Sequence, residues 1–178
     1  SLKLSNRLIQ APLAGISCAP FRELFSKYTK PAYAVTEMIS AHSILQHETL
    51  NPRYLAHSPK EGPWCIQLSG NNPELMHQAT QIAARYEPDV IDLNCGCPKP
   101  KIRSKGCGSA LMDSLDNLSD VVSAMRQATT RPLTVKIRVG GQTNDNAYLD
   151  AATLIEACGA DAIIVHGRHH SEDYDVAA

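Results

Sequence analysis

The chain has 178 residues, 43% hydrophobic and 20% charged, with a formal net charge of −1. That balance suits a globular protein and excludes the whole-domain basicity that marks many nucleic-acid binders, so any RNA contact must be local. No run approaches the roughly 18 apolar residues of a membrane helix, and the opening Ser-Leu-Lys-Leu-Ser-Asn-Arg has no signal-peptide core, so a cytoplasmic protein is expected.

Short, nearly continuous apolar runs alternate with helix-period segments, the pattern of parallel strands covered on both faces. Leu8–Ala11 is the first strand and leads into Ala11-Pro12-Leu13-Ala14-Gly15; Ala32–Thr36 is the second. Trp64–Leu68 is the third, leaving through Gln67-Leu68-Ser69-Gly70. A helix then begins at Asn72, a good N-cap, with Pro73 where a missing N–H costs nothing. Its apolar face is Leu75, Met76, Ala79, Ile82, Ala83 and Tyr86. Val90–Asn94 is the fourth strand and runs into Cys95-Gly96-Cys97-Pro98; Leu118, Val121, Val122 and Met125 mark the next helix. Leu133–Arg138 is the fifth strand. A helix carrying Leu154, Ile155 and Cys158 follows, stopped by Gly159 as a left-handed cap, and Ala162–His166 is the sixth strand. Six cysteines scattered through such runs suit reduced thiols better than a disulfide framework.

Repeated βα units build either a doubly wound sheet or a (β/α)8 barrel, and periodicity does not separate them. Polar chemistry at the C-terminal ends of five of the six strands favours the barrel, because a doubly wound sheet gathers its chemistry at one switch point. Six strands cannot close eight. The expected architecture is therefore about six β/α units of a (β/α)8 TIM barrel, with a sixth helix due at Asp175-Val176-Ala177-Ala178.

A buried strand ending in Asn94-Cys95-Gly96-Cys97-Pro98 delivers a thiol to the barrel mouth, with Gly96 allowing close approach and Pro98 fixing the exit. The bland alternative is a small buried cysteine. Cys95, two residues earlier, points the same way if the strand continues, which raises metal binding. Cys-x-Cys is not the usual structural zinc spacing, and no metal is expected.

This segment and the following Lys99-Pro100-Lys101-Ile102-Arg103-Ser104-Lys105-Gly106-Cys107-Gly108-Ser109-Ala110-Leu111-Met112 resemble the N-x-G-C-P and G-x-G-[AS]-x-L-[LM] signature of the tRNA-dihydrouridine synthases. Gln10-Ala11-Pro12-Leu13-Ala14-Gly15 with Pro20-Phe21-Arg22, Gln67, Val135-Lys136-Ile137-Arg138 and His166-Gly167-Arg168 follow in that family's order. The resemblance implies an FMN-dependent barrel that reduces tRNA uridines, with NADPH or NADH as reductant. It implies hydride transfer from flavin N5 to uracil C6 and protonation of C5 by Cys97; a thiol with a reference pKa of about 8.5 stays protonated at neutral pH.

Carried residue by residue, the resemblance sets Pro12, Leu13 and Ala14 under the flavin and Gln67 against its ring. Lys136 falls beside flavin N1 and O2, and His166 near the phosphate or substrate. A lysine within so apolar a strand is otherwise costly to bury. Asn94 and Arg168 are expected to hold the uracil or flavin; Arg138 does likewise or serves as a salt-bridged barrel arginine. Lys99, Lys101, Arg103 and Lys105 either meet RNA phosphates or form a solvated loop. Two departures from the family pattern are Cys18, where Asp is common, and His169, where Thr is frequent. Residues 1–178 are thus expected to be the N-terminal portion of a monomeric enzyme's FMN-binding domain, with the helical tRNA-binding domain outside them. Other readings are a dihydroorotate dehydrogenase-like FMN barrel and an RNA-binding barrel without catalysis.

Overall fold

The computed structural model describes residues 3–46, 52–139 and 147–172. Asp175–Ala178, where a sixth helix is due, lies outside them. In chain order the elements are β1 (Ile9–Gln10), α1 (Ala19–Thr29), β2 (Tyr33–Val35), β3 (Ile39–Ser40), α2 (Ala41–Gln46), α3 (Pro52–Leu55), β4 (Trp64–Ser69) and α4 (Pro73–Ala84). There follow β5 (Val90–Cys95), α5 (Pro100–Arg103), a 3-10 turn (Gly108–Asp113), α6 (Leu115–Ala128), β6 (Leu133–Arg138), α7 (Ala147–Ala157) and β7 (Ala162–His166).

Every pairing in the sheet is parallel, and the order β1-β2-β4-β5-β6-β7 follows the chain without reversal, with the short β3 beside β4. A doubly wound sheet must reverse direction at its switch point; this one never does, and it is six strands of a (β/α)8 barrel. All six expected strands form. β1 and β2 are shorter than the apolar runs that announce them, and Leu8 is half exposed.

Alternation along the strands sorts side chains onto two faces. Trp64, Ile66, Leu68, Ile91, Leu93, Cys95, Leu133, Val135 and Ile137 join the core beneath the helices, where α4 contributes Met76, Ala79 and Ala83. From α6 the same core takes Leu118, Val121, Val122 and Met125. On the opposite face Tyr33, Val35, Cys65 and Val90 pack with Ile9 as a small second core near the N-terminal ends of the strands.

α4 starts as expected: the Asn72 side chain accepts the Leu75 N–H at 3.0 Å behind Pro73. It ends at Ala84, so Tyr86 lies past the helix and 41% exposed rather than on its apolar face. Gly159 takes the left-handed conformation (φ +88°) after α7. Cys18, at the N-cap of α1, makes no side-chain capping bond, so that helix starts on Pro20 alone.

The sequence does not disclose what ties α1 to the loop before β4. Arg22, fully buried, donates to Glu61 at 2.7 Å and to the carbonyls of Ser17 (2.8 Å) and Ala56 (2.7 Å). Glu61 also accepts the Ser58 N–H at 2.8 Å. Removing one partner strands a desolvated charge, at a cost of about 3–5 kcal/mol. Glu61→Ala should therefore lower the urea-unfolding free energy by roughly that amount, and a loss below about 1 kcal/mol would show that water reaches Arg22 and screens it.

Candidate active site

The polar residues of β4, β5 and β6 all lie on the face away from the helices. Register pairs Gln67 with Asp92 and Asp92 with Thr134, giving one polar layer; Asn94 pairs with Lys136 one layer higher. Lys136 in turn pairs with Ile164 of β7, and Arg138 with His166. The expected strand-end residues therefore converge on one mouth.

Asp92 is buried and accepts from Gln67 Nε2 at 2.7 Å and from the Thr134 hydroxyl at 2.5 Å. Gln67 Oε1 accepts from Asn94 Nδ2 at 2.8 Å, and Asn94 Oδ1 accepts the backbone N–H groups of Cys97 (3.0 Å) and Gly96 (3.3 Å). Burial raises the Asp92 carboxyl to about 7, against the opposing pull of its two donors and Lys136. Burial also lowers the Lys136 pKa, with Asp92 opposing and Arg138 assisting. The His166 pKa is lowered by desolvation and by the charges of Arg138, Lys136 and Arg168, which favours the neutral ring.

Cys97 lies beyond β5, in the turn before α5, and is partly exposed. Cys95 does not share its direction: it ends the strand inside the helix-side core, where burial raises its thiol pKa. The chain leaves the strand between the two, so strand alternation does not carry through. The Cys97 carbonyl accepts from the Ser109 N–H (3.0 Å) and hydroxyl (3.1 Å), and Arg138 Nε grips the Gly96 carbonyl at 2.7 Å. A Cβ on Gly108 (φ +63°) would stand 2.7 Å from the Cys97 carbonyl oxygen, so the 3-10 turn presses on the cysteine from behind.

Arg138 also donates to the His169 carbonyl at 3.0 Å and so braces two mouth loops; among the described residues it forms no salt bridge. Arg103 is engaged by Asp113 (2.8 Å) and Ser109 (2.9 Å), which ties it to the wall behind Cys97, whereas Lys99, Lys101 and Lys105 are exposed. Arg168 Nη1 lies 3.4 Å from His166 Nε2.

The Pro12-Leu13-Ala14 segment lies open at the mouth, with Leu13 44% exposed. The Leu13 N–H is taken by the Ser17 hydroxyl at 3.0 Å. Gly15 is clamped at both ends: its N–H donates to Glu37 at 2.6 Å, and its carbonyl accepts from Arg53 at 2.9 Å, while Arg53 also pairs with Glu37. Beneath the segment a cavity of about 80 Å³ is lined by Ala11, Pro12, Tyr33, Ile164, Asp92 and Lys136. Sequence reasoning missed Asp92, Thr134, Glu37 and Arg53. An acid inside an apolar strand run was the available signal for Asp92; the Glu37–Arg53 clamp had none.

A family model for dihydrouridine synthase matches residues 9–178. The tRNA-dihydrouridine synthase B of Vibrio cholerae is 37% identical over 166 residues, covering 93% of this chain and 51% of that protein. The protein of that name from Pasteurella multocida is 34% identical over 171 residues, with 96% and 51% covered. A probable tRNA-dihydrouridine synthase 1 of Synechocystis sp. is 34% identical over 175 residues, with 98% and 49% covered. The chain spans about half the length of the curated relatives it matches.

The raised Asp92 carboxyl sets a stability slope. Between the ordinary 3.8 and about 7 the native chain holds a proton that the unfolded chain has released. This group's contribution therefore falls as pH rises through that window and is flat above it. Urea unfolding at pH 5 and pH 8 should show the wild type losing stability relative to Asp92→Asn at the higher pH; a constant difference would place Asp92 in contact with water.

Proposed function

The chain belongs to the dihydrouridine synthase family, and on that premise we propose that it contributes the catalytic face of an FMN-dependent enzyme reducing tRNA uridine to 5,6-dihydrouridine, with NADPH or NADH as reductant. The observation carrying this reading is the braced turn that bears Cys97 at the same end of the sheet as Lys136, Arg138 and His166. The residues present suit a flavin: an apolar floor beneath Pro12 and several cationic groups at one rim match a planar ring with an anionic edge and a phosphate.

When bound, the reduced flavin supplies a hydride for C6 of the uracil. Cys97 donates its Sγ proton to C5, and the resulting thiolate recovers a proton from water. The Asn94 and Arg138 bonds to the turn keep the sulfur from withdrawing into the core. Lys136 opposes negative charge at the N1–O2 edge of the ring; its partial burial strengthens that attraction by lowering the local dielectric. Gln67 and Asn94 each commit one amide hydrogen inside the protein, and the second hydrogen of each is assigned to ring carbonyls. His166 and Arg168 serve the substrate or phosphate side. Lys99 and Lys101 meet RNA phosphates, with Arg103 supporting that wall from within. A tRNA substrate and six free thiols both suit the reducing cytoplasm.

In full-length protein, Cys97→Ala should retain flavin absorbance and lose at least about 100-fold in dihydrouridine formation, the lower range for a missing general acid. Flavin retained with unchanged turnover removes Cys97 from the chemistry. A wild-type flavoprotein that leaves tRNA uridine untouched but reduces a small pyrimidine would instead favour a metabolite-reducing barrel. Lys136→Ala should weaken FMN binding about tenfold or more, as expected for a lost charge-assisted contact, in a fluorescence titration.

A further inference from the structure

Three acceptor–donor contacts run in series from the interior to the thiol turn. Asp92 accepts from Gln67, Gln67 accepts from Asn94, and Asn94 accepts from the N–H groups of Gly96 and Cys97. An amide can face either way, since its oxygen and nitrogen are nearly the same size. Here the two ends decide. A carboxylate only accepts, so Gln67 must turn Nε2 down and Oε1 up; backbone N–H groups only donate, so Asn94 must turn Oδ1 up and Nδ2 down. The two demands agree at the Gln67–Asn94 contact. Remove the acceptor at the base and Gln67 is free to reverse. A reversed Gln67 sets Nε2 against Nδ2, and relieving that clash turns Asn94 so that Nδ2 faces the two N–H groups.

We infer that Asp92 is a positioning residue: it fixes the polarity of the Gln67–Asn94 pair and thereby holds the Gly96–Cys97 turn that presents the thiol. Burial of all three side chains supports the inference, because water is not at hand to satisfy a reversed amide. The Thr134 hydroxyl, on the other Asp92 oxygen, stands outside the series. That the turn matters for catalysis rests on the proposed function, but its anchoring does not.

The test is amide hydrogen exchange at Gly96 and Cys97 in full-length protein at pH 8, where Asp92 is ionised, resolved residue by residue by fragmentation mass spectrometry. Asp92→Leu, which removes the acceptor at similar size, should speed exchange at both amides about tenfold, the scale of one lost hydrogen bond. Thr134→Val should leave them within about twofold, since it breaks no link of the series. The decisive variant replaces the acceptor from the other strand, combining Asp92→Asn with Gln67→Glu. The carboxylate this places on β4 accepts both from Asn94 and from the new amide on β5, keeps the direction of Asn94 and should hold exchange within about threefold of wild type. A purely structural role for Asp92 predicts no such protection, because the double variant is further from the native sequence. Unchanged exchange in Asp92→Leu, or fast exchange in a folded double variant, overturns the inference. Should Asp92→Leu fail to fold, scalar couplings across the Asn94–Gln67 and Gln67–Asp92 hydrogen bonds in the wild type decide it, their presence supporting the series and their absence refuting it. Exchange as expected in a protein without uridine reduction would sink the functional reading alone.

Discussion

The period of two along β4, β5 and β6 is the constraint from which the rest follows. It sends Ile66, Leu68, Leu93, Val135 and Ile137 under the helices and turns Gln67, Asp92, Asn94, Thr134, Lys136 and Arg138 the other way. Parallel register then lines those residues up in layers, so polar neighbours across strands meet one another. A one-residue slip in β5 would put Asp92 among leucines and leave Gln67 without its acceptor.

Such a face is expensive. Burying a carboxyl, two amides and an arginine, and half-burying a lysine, inside a sheet loses hydration that only well-made hydrogen bonds return. The helix-side core, continuous from Ile39 to Ile155, supplies the cohesion that offsets this loss. The mouth loops are held by point contacts: Glu37 and Arg53 on Gly15, Arg138 on Gly96, Ser109 on Cys97. The molecule is thus stable on one side of its sheet and equipped on the other.

The long apolar runs of β4, β5 and β6 were legible within a residue because strands covered on both faces must be apolar throughout. The Asn72-Pro73 start of α4 was legible because capping chemistry is local. The end of that helix was not: Tyr86 keeps the apolar period, but its backbone has already left the helix. The direction of Cys95 was misjudged because alternation holds only while the strand lasts, and nothing in Cys95-Gly96-Cys97 says where it stops. The strand-end polar residues stood out through the family order that they resemble, and the sheet register brings them to one mouth. The contacts that support them, and those that tie α1 down, were hidden because they join distant segments, Gln67 to Asp92 across 25 positions and Arg22 to Glu61 across 39.

The absence of a side chain at Gly108 reaches further than packing. The space a methyl would occupy there already holds the Cys97 carbonyl, with Ile102 and the Cys97 Cβ 3.0 Å away. Where the sulfur sits is therefore governed partly by a residue with no functional group, well downstream in the chain. A substitution there could leave the sheet, the helices and every polar partner in place and still displace the Cys97 side chain, a lesion that fold-level assays would overlook.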